Sequence, residues 1–201
     1  MIKEWLHKKC AAKSEQVCPI RIYRHPCRLH REGLAQWFAS WGLKTGVEIG
    51  VRDGEFSEIL LTSIPGLKLF CVDPWSTTDK STTLTGQEQQ DIHYQVCMRR
   101  LSQYSGAKIM KMTSMQAVHE FADQSIDFVY IDGSHEFDDI MMDVIEWSKK
   151  VRTDGIVSGH DYYRFRNAGI VQAIDLYTYM HKIDEWFLTD DHTPSFFWAK
   201  P

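Results

Sequence analysis

The chain predicts an α/β protein built on a single, doubly wound and mostly parallel sheet, and three observations carry that expectation. Five short apolar runs, 46-GVEIG-50, 68-KLFCV-72, 107-AKIM-110, 126-IDFVYI-131 and 155-GIVS-158, are each succeeded by helix-compatible sequence. Strands separated by helices imply a parallel sheet covered on both faces. Two further runs, 186-WFLT-189 and 195-SFFWA-199, are joined only by 190-DDHTP-194. A parallel pair needs a long crossover, so this short connection predicts an antiparallel close. At 201 residues the chain has the length of one domain with its own core.

Each element carries its own local signal. Residues 1–29 show no sustained period and contain Pro19 and Pro26, which reads as a loosely structured arm or a short helix. From residue 30 the domain begins: Leu34, Trp37, Phe38 and Trp41 fall at helical spacing and Gly42 stops the helix. Thr113 and Gln116 have capping-box spacing ahead of Val118 and Phe121. In 136-EFDDIMMDVIEWSKKV-151, Phe137, Ile140, Met141, Val144 and Ile145 share a face. Acids open that helix and Lys149, Lys150 and Arg152 close it, as the helix dipole favours. Asp154-Gly155 turns the chain, and a last helix spans about 169–181. The segment 75-WSTTDKSTTLTGQEQQDIHY-94 is long, polar and Thr-rich, and is expected to form a lid with Trp75, His93 and Tyr94 as contacts.

Composition excludes several classes. The net charge of -4 argues against a general nucleic-acid binder. Charge is uneven, however: residues 1–31 carry eight Lys or Arg against Glu4 and Glu15, a balance of +6, leaving -10 to the rest. That arm is either a solvated extension or a docking element for an anionic partner. No apolar run is long enough to span a membrane and no apolar leader is present. Five cysteines without a CxxC pair suit a reducing, cytoplasmic setting, with Cys71 and Cys97 in the core. A zinc site from Cys10, Cys18 and 25-HPCRLH-30 matches none of the usual spacings. Trp5 and Trp37 are candidate contacts for a homo-oligomer.

Chemistry concentrates where the predicted strands end, because ligands of open parallel sheets sit beyond the carboxyl ends of the strands. In 47-VEIGVRDGEFSEIL-60, Gly50 and Gly54 allow backbone N–H groups to approach a ligand at a helix start. Glu48 is an acid in an apolar strand, and a buried carboxylate costs several kcal/mol unless it meets a donor. The frame 46-GVEIGVRDG-54 lacks the G-x-G-x-x-G spacing of a dinucleotide fingerprint. Asp73 ends the next strand in 69-LFCVDPWS-76, where a carboxylate can accept both hydroxyls of a ribose.

Taken in order, VEIGVRDGEFSEIL, LFCVDPWS, IDFVYIDGSHEFDD, GIVSGHDY and PSFFWAK resemble the class I S-adenosyl-L-methionine (SAM)-dependent methyltransferases. More narrowly, they resemble the group that holds metal-dependent sugar O-methyltransferases and cephalosporin-hydroxylase-like proteins. The resemblance covers about residues 45–200. It implies a Rossmann-like sheet of seven strands in the order 3-2-1-4-5-7-6 with strand 7 antiparallel. It also implies that the loop from Glu48 through Gly50, Arg52 and Asp53 holds the methionine part of SAM, that Asp73 holds the ribose, and that Ser114 and Met115 edge the adenine.

Asp132 in 130-YIDGSH-135 and Asp161 in 159-GHDY-162 end neighbouring strands. Adjacent strands lie ~4.8 Å apart, so the two carboxylates can share one cation. Hard oxygen ligands favour Mg²⁺ or a similar divalent ion, which would bind a diol and acidify its hydroxyl. Asp132 would then face cofactor and ion alike, and His135 or His160 would take the proton. Arg164 and Arg166 in 162-YYRFRN-167 would suit an anionic group on the acceptor. The expected activity is therefore metal-assisted O-methylation of a small sugar or diol. A non-catalytic SAM-fold module and a metal-dependent hydroxylase are the alternatives, the latter lacking a clear two-histidine, one-carboxylate triad.

Overall fold

The computed structural model describes residues 2–10, 20–21, 29–77, 86–166 and 168–201. Cys18, Cys27, residues 78–85 of the Thr-rich lid segment and Asn167 lie outside the described residues.

The core unit starts with β2 (Thr45–Ile49), α3 (Glu55–Ser63), β3 (Lys68–Asp73), α4 (Gln87–Leu101) and β4 (Ala107–Lys111). It continues with α5 (Ser114–Ala117) and a 3₁₀ turn at Val118–Glu120, then β5 (Ile126–Ile131), α6 (Phe137–Lys150), β6 (Val151–Gly159) and α7 (Ile170–Met180). A hairpin of β7 (Phe187–Leu188) and β8 (Phe196–Ala199) ends it. Ahead of it lie α1 (Ile2–Cys10), β1 (Ile20–Arg21) and α2 (Arg31–Ser40). The sheet order is β1-β7-β8-β6-β5-β2-β3-β4, with β8 antiparallel to both β6 and β7 and every other pair parallel. Counted from β2 as the first strand, this is 3-2-1-4-5-7-6, as the sequence resemblance implies.

Two features depart from the expectation. The arm adds an eighth strand, pairing Ile20 with Phe187 and Arg21 with Leu188 along an edge that would otherwise be open. Helix α1 also docks on the domain, burying Ile2 and Leu6. Trp5 meets Trp37 and Trp41 edge-on at centroid distances of 5.0 and 5.4 Å, so the two aromatics expected at a subunit contact pack against each other.

The alternation of each strand divides the core. In β5, Phe128 and Tyr130 face α1–α4 with Leu34, Phe38, Phe56 and Cys71, while Val129 and Ile131 face α5–α7 with Val144, Trp147 and Ile174. The capping box forms as its spacing predicts: Gln116 N donates to Thr113 Oγ1 and Thr113 N donates to Gln116 Oε1. Helix α6 buries Ile140 and Val144 of the predicted face, packs Met141 and Ile145 against the core and leaves Phe137 37% exposed, while Trp147 extends the inward stripe. Strand β6 begins at Val151, earlier than predicted, with Asp154 at φ 57 inside it and a register shift against β5. Cys71 and Cys97 are buried and unpaired, as expected for core residues. No described helix is long and apolar enough to cross a membrane.

Candidate active site

Four strand ends form one rim. Gly50 N donates to Val72 O, Asp132 N to Ile49 O and His160 N to Ile131 O, so the ladders run to the last residue of each strand and fix the start of the loop beyond it. Gly50 has φ +83, and a Cβ there would lie 2.0 Å from the Asp132 carbonyl oxygen. Only glycine lets the β2 loop lie this close to the end of β5.

Asp73 organises that loop. One carboxylate oxygen accepts the backbone N–H groups of Val51 and Arg52, each at 2.9 Å, and the other accepts Trp75 N at 2.7 Å. The Trp75 indole donates back to Arg52 O at 2.9 Å, and Trp75 is only 1% exposed. Trp75 is thus a brace under the loop and not a wall of the lid. Residues 87–94 belong to α4, where His93 Nδ1 meets Asp53 Oδ1 at 2.5 Å and Tyr94 packs on Trp75. The Arg52 side chain is exposed.

Glu48 does not line the loop. It is 1% exposed and accepts a hydrogen bond from the Ser57 hydroxyl. Burial pushes its carboxyl up from the usual 4.5 to about 8, although Ser57 and Arg31 pull the other way. The folded protein therefore keeps this proton while the unfolded chain loses it above pH 4.5. The group's contribution to stability is fully present below pH 4.5 and is lost as pH rises through about 8. Glu48→Gln should flatten urea-unfolding stability between pH 5 and 8, with a gain over wild type of up to ~4 kcal/mol at pH 8. A mutant curve parallel to that of the wild type would show that Glu48 does not titrate in this range.

The Ser114 hydroxyl is also held inside the fold. It donates to Asp143 and accepts from Trp147 Nε1 at 2.7 Å, both on α6, while Met115 packs against the core. Both residues are tied to α6 or the core yet remain partly exposed at the start of α5.

At the ends of β5 and β6, ligand atoms of Asp132, His160 and Asp161 all lie within 4.8 Å of one another. His160 Nδ1 is 3.1 Å from Asp161 Oδ1 and 3.6 Å from Asp132 Oδ1, and His135 Nε2 is 3.0 Å from Asp161 Oδ2. Asp161 adopts φ 58, a left-handed conformation that Asp tolerates better than most residues. Burial opposes charge on His160, but hydrogen bonds to Asp132 and Asp161 outweigh it and raise the imidazole to about 9. Burial likewise opposes charge on Asp161, yet His135 and His160 hold its carboxyl well below the usual range. That pairing favours the protonated ring, and the neutral ring is the form that would act as a base or ligate an ion. Once deprotonated, its Nδ1 would be a third ligand atom beside Asp132 and Asp161.

Sequence reasoning missed Arg31, the first residue of α2. Its Nη2 donates to Asp132 Oδ2 at 2.9 Å, and the guanidinium lies 4.1 Å from the Phe56 ring centroid and 5.4 Å from that of Tyr130. No motif marks it, because its partners lie far away in the chain.

Beside His160 opens a cavity of ≈ 590 Å³, walled by residues 30–32 and 190–193. His30 Nδ1 meets Asp191 Oδ1 at 2.5 Å, Arg31 N donates to Asp191 Oδ2 at 2.9 Å, and Thr193 Oγ1 lies 3.3 Å from His160 Nε2. The loop between β7 and β8 thus forms one wall of this cavity, while Arg164 and Arg166, expected at a second wall, are exposed.

The comparisons agree with this geometry. A family model described as a methyltransferase domain matches residues 47–162. An uncharacterised protein, y4gI of Sinorhizobium fredii, is 24% identical over 119 residues, 57% of this chain but only 13% of that protein's length. Among solved structures, an O-methyltransferase from Bacillus cereus in complex with SAH aligns at TM-score 0.62 and 11% identity, covering 99% of this chain and 97% of that one. TomG from Streptomyces achromogenes, an O-methyltransferase of tomaymycin synthesis in complex with SAM, aligns at 0.61 and 12%, covering 85% and 79%. An rRNA methylase from Streptococcus thermophilus aligns at 0.62 and 10%, covering 87% and 98%. With its strand order, its glycine loop and a family match over residues 47–162, this chain belongs to the methyltransferase domain family and has the class I SAM-dependent methyltransferase fold.

Proposed function

We propose that the protein transfers a methyl group from SAM to a hydroxyl of a small sugar or diol with the help of a divalent ion. The observation that carries this reading is the gathering of Asp132, His160 and Asp161 at neighbouring strand ends, with His160 lining the cavity beside them. The rim suits a cationic nucleoside: a glycine loop fixed against Asp132, with Asp53 and Asp73 at its edge. Asp73 would hold the ribose from the end of β3, and the Gly50–Asp53 loop would hold the methionine part.

SAM, when bound, supplies a methyl group on a sulfonium that already contains its leaving group. A divalent ion held by Asp132, Asp161 and His160 would supply charge that eases ionisation of the acceptor hydroxyl. Because one donor is an imidazole, Mn²⁺ suits the set at least as well as the Mg²⁺ expected from carboxylates alone. The protein's own part is to orient the acceptor oxygen toward the methyl group, exclude competing water and remove a proton. His135, paired with Asp161, is the proton carrier in this reading.

Residues 30–201 form the catalytic unit in this reading, and the basic stretch 1–29 is an extension applied to it. The net charge of -4 and the polar cavity favour a small acceptor over nucleic acid. A cytoplasmic location suits the two free buried cysteines.

Thermal melting tests both cofactors without a known acceptor. SAH at about 100 times its dissociation constant adds ~2.7 kcal/mol, or roughly 5–10 °C for a chain of this size. A further rise with Mn²⁺ is expected. No shift with SAM or SAH would refute the donor, and an SAH shift unaffected by Mn²⁺ or Mg²⁺ would refute the ion.

A further inference from the structure

We infer that Arg31 sets the ion affinity of the centre by acting as a built-in cation on Asp132. The inference rests on the divalent-ion reading above and goes beyond it, because Arg31 precedes the segment matched by the family model. Arg31 takes one oxygen of Asp132 at 2.9 Å, leaving the other turned toward His160 and Asp161. The ion therefore meets two carboxylates of which one is already half neutralised.

The surroundings show a cation held for its charge. The guanidinium lies over Phe56 and near Tyr130, two aromatic faces that attract cations. Its Nε is buried with no hydrogen-bond partner among the described residues, whereas a purely structural arginine clamp would use its fork of donors fully. Its position is fixed from behind: the backbone N–H is held by Asp191, and α2 is anchored by Leu34, Ala35 and Phe38, all fully buried.

Affinity of oxygen sites for divalent ions is tuned by the charge of the ligand set. Removing Arg31 has two opposing effects. Asp132 loses an orienting partner, which weakens binding, and the ion loses a like charge a few ångströms away, which tightens it. At such separations the Coulomb effect dominates.

Mn²⁺ binding to the full-length protein, monitored by electron paramagnetic resonance and calorimetry, tests this with two substitutions. Arg31→Met removes the charge and should tighten Mn²⁺ binding by ~10-fold or more. Arg31→Lys keeps the charge and should stay within ~3-fold of wild type. The gap between the two should narrow in high salt, as a Coulomb effect requires. Unchanged or weaker binding by Arg31→Met overturns the inference. Should Arg31→Met fail to fold, Arg31→Gln, equally uncharged but polar, replaces it with the same expected direction. Wild type that takes up no Mn²⁺ would sink the ion reading itself, whereas binding that ignores both substitutions would sink only the role of Arg31.

Discussion

Asp161→Asn should abolish Mn²⁺ binding and lower methyl transfer by roughly 10²–10⁴-fold, the range that positioned proton-transfer groups contribute. Asparagine is the informative replacement because it keeps the size of the side chain and tolerates the φ of 58 that Asp161 adopts. What it removes is the charge that pairs with both His135 and His160. Stability should fall as well. A carboxyl held below its usual range stabilises the fold above that range and stops doing so as pH falls through its folded value, so the deficit of the variant should be present at neutral pH and vanish in strong acid. Manganese resonance reads the first effect without an acceptor, and transfer from labelled SAM reads the second once an acceptor is found. An Asp161→Asn protein that still binds Mn²⁺ as wild type does would exclude Asp161 as a ligand.

Gly50→Ala should be the most damaging single methyl group that can be added at the rim. Its Cβ would lie 2.0 Å from Asp132 O, 2.4 Å from Asp132 C and 2.6 Å from Gly133 Cα, all backbone atoms with nowhere to go. The φ of +83 adds strain of about 1–2 kcal/mol for any residue with a Cβ. Together the expected loss is ~4 kcal/mol or more, at the diagnostic end of single substitutions. The melting temperature should then drop by about 8–16 °C. Gly42→Ala is the matched control: its φ is +73, but no atom lies within 4 Å of the added carbon, so only the strain remains. Similar losses in the two variants would show that the β2 loop is not pressed against β5.

The strands, their parallel arrangement and the antiparallel close could be read from the sequence because each depends on local signals. Alternation in 126-IDFVYI-131, the capping pair Thr113 and Gln116, and the five-residue link before Ser195 all act within a few residues. The acids at 73, 132 and 161 could be located for the same reason, since a strand end is a local event. The charge states at the site could not be read this way. His160 looks like an isolated base in one dimension, and its pairing with Asp132 and Asp161 exists only once the ends of β5 and β6 lie side by side. The burial of Glu48 against Ser57, nine residues later, is a property of the fold that the strand pattern does not show. Strand β1 has two residues, too few for any period. Arg31 and the cavity wall depend on contacts across more than a hundred residues, which no window on the sequence contains.

Those long spans bear on how the protein comes to be active. His30 and Asp191 are separated by 161 positions and Arg31 and Asp132 by 101, so the cavity closes only when the final hairpin joins the sheet beside the opening helix. Closing loops of this size is entropically slow and is rewarded only late in folding. A chain still emerging from the ribosome can thus have most of its sheet and helices in place while its reaction chamber is unfinished.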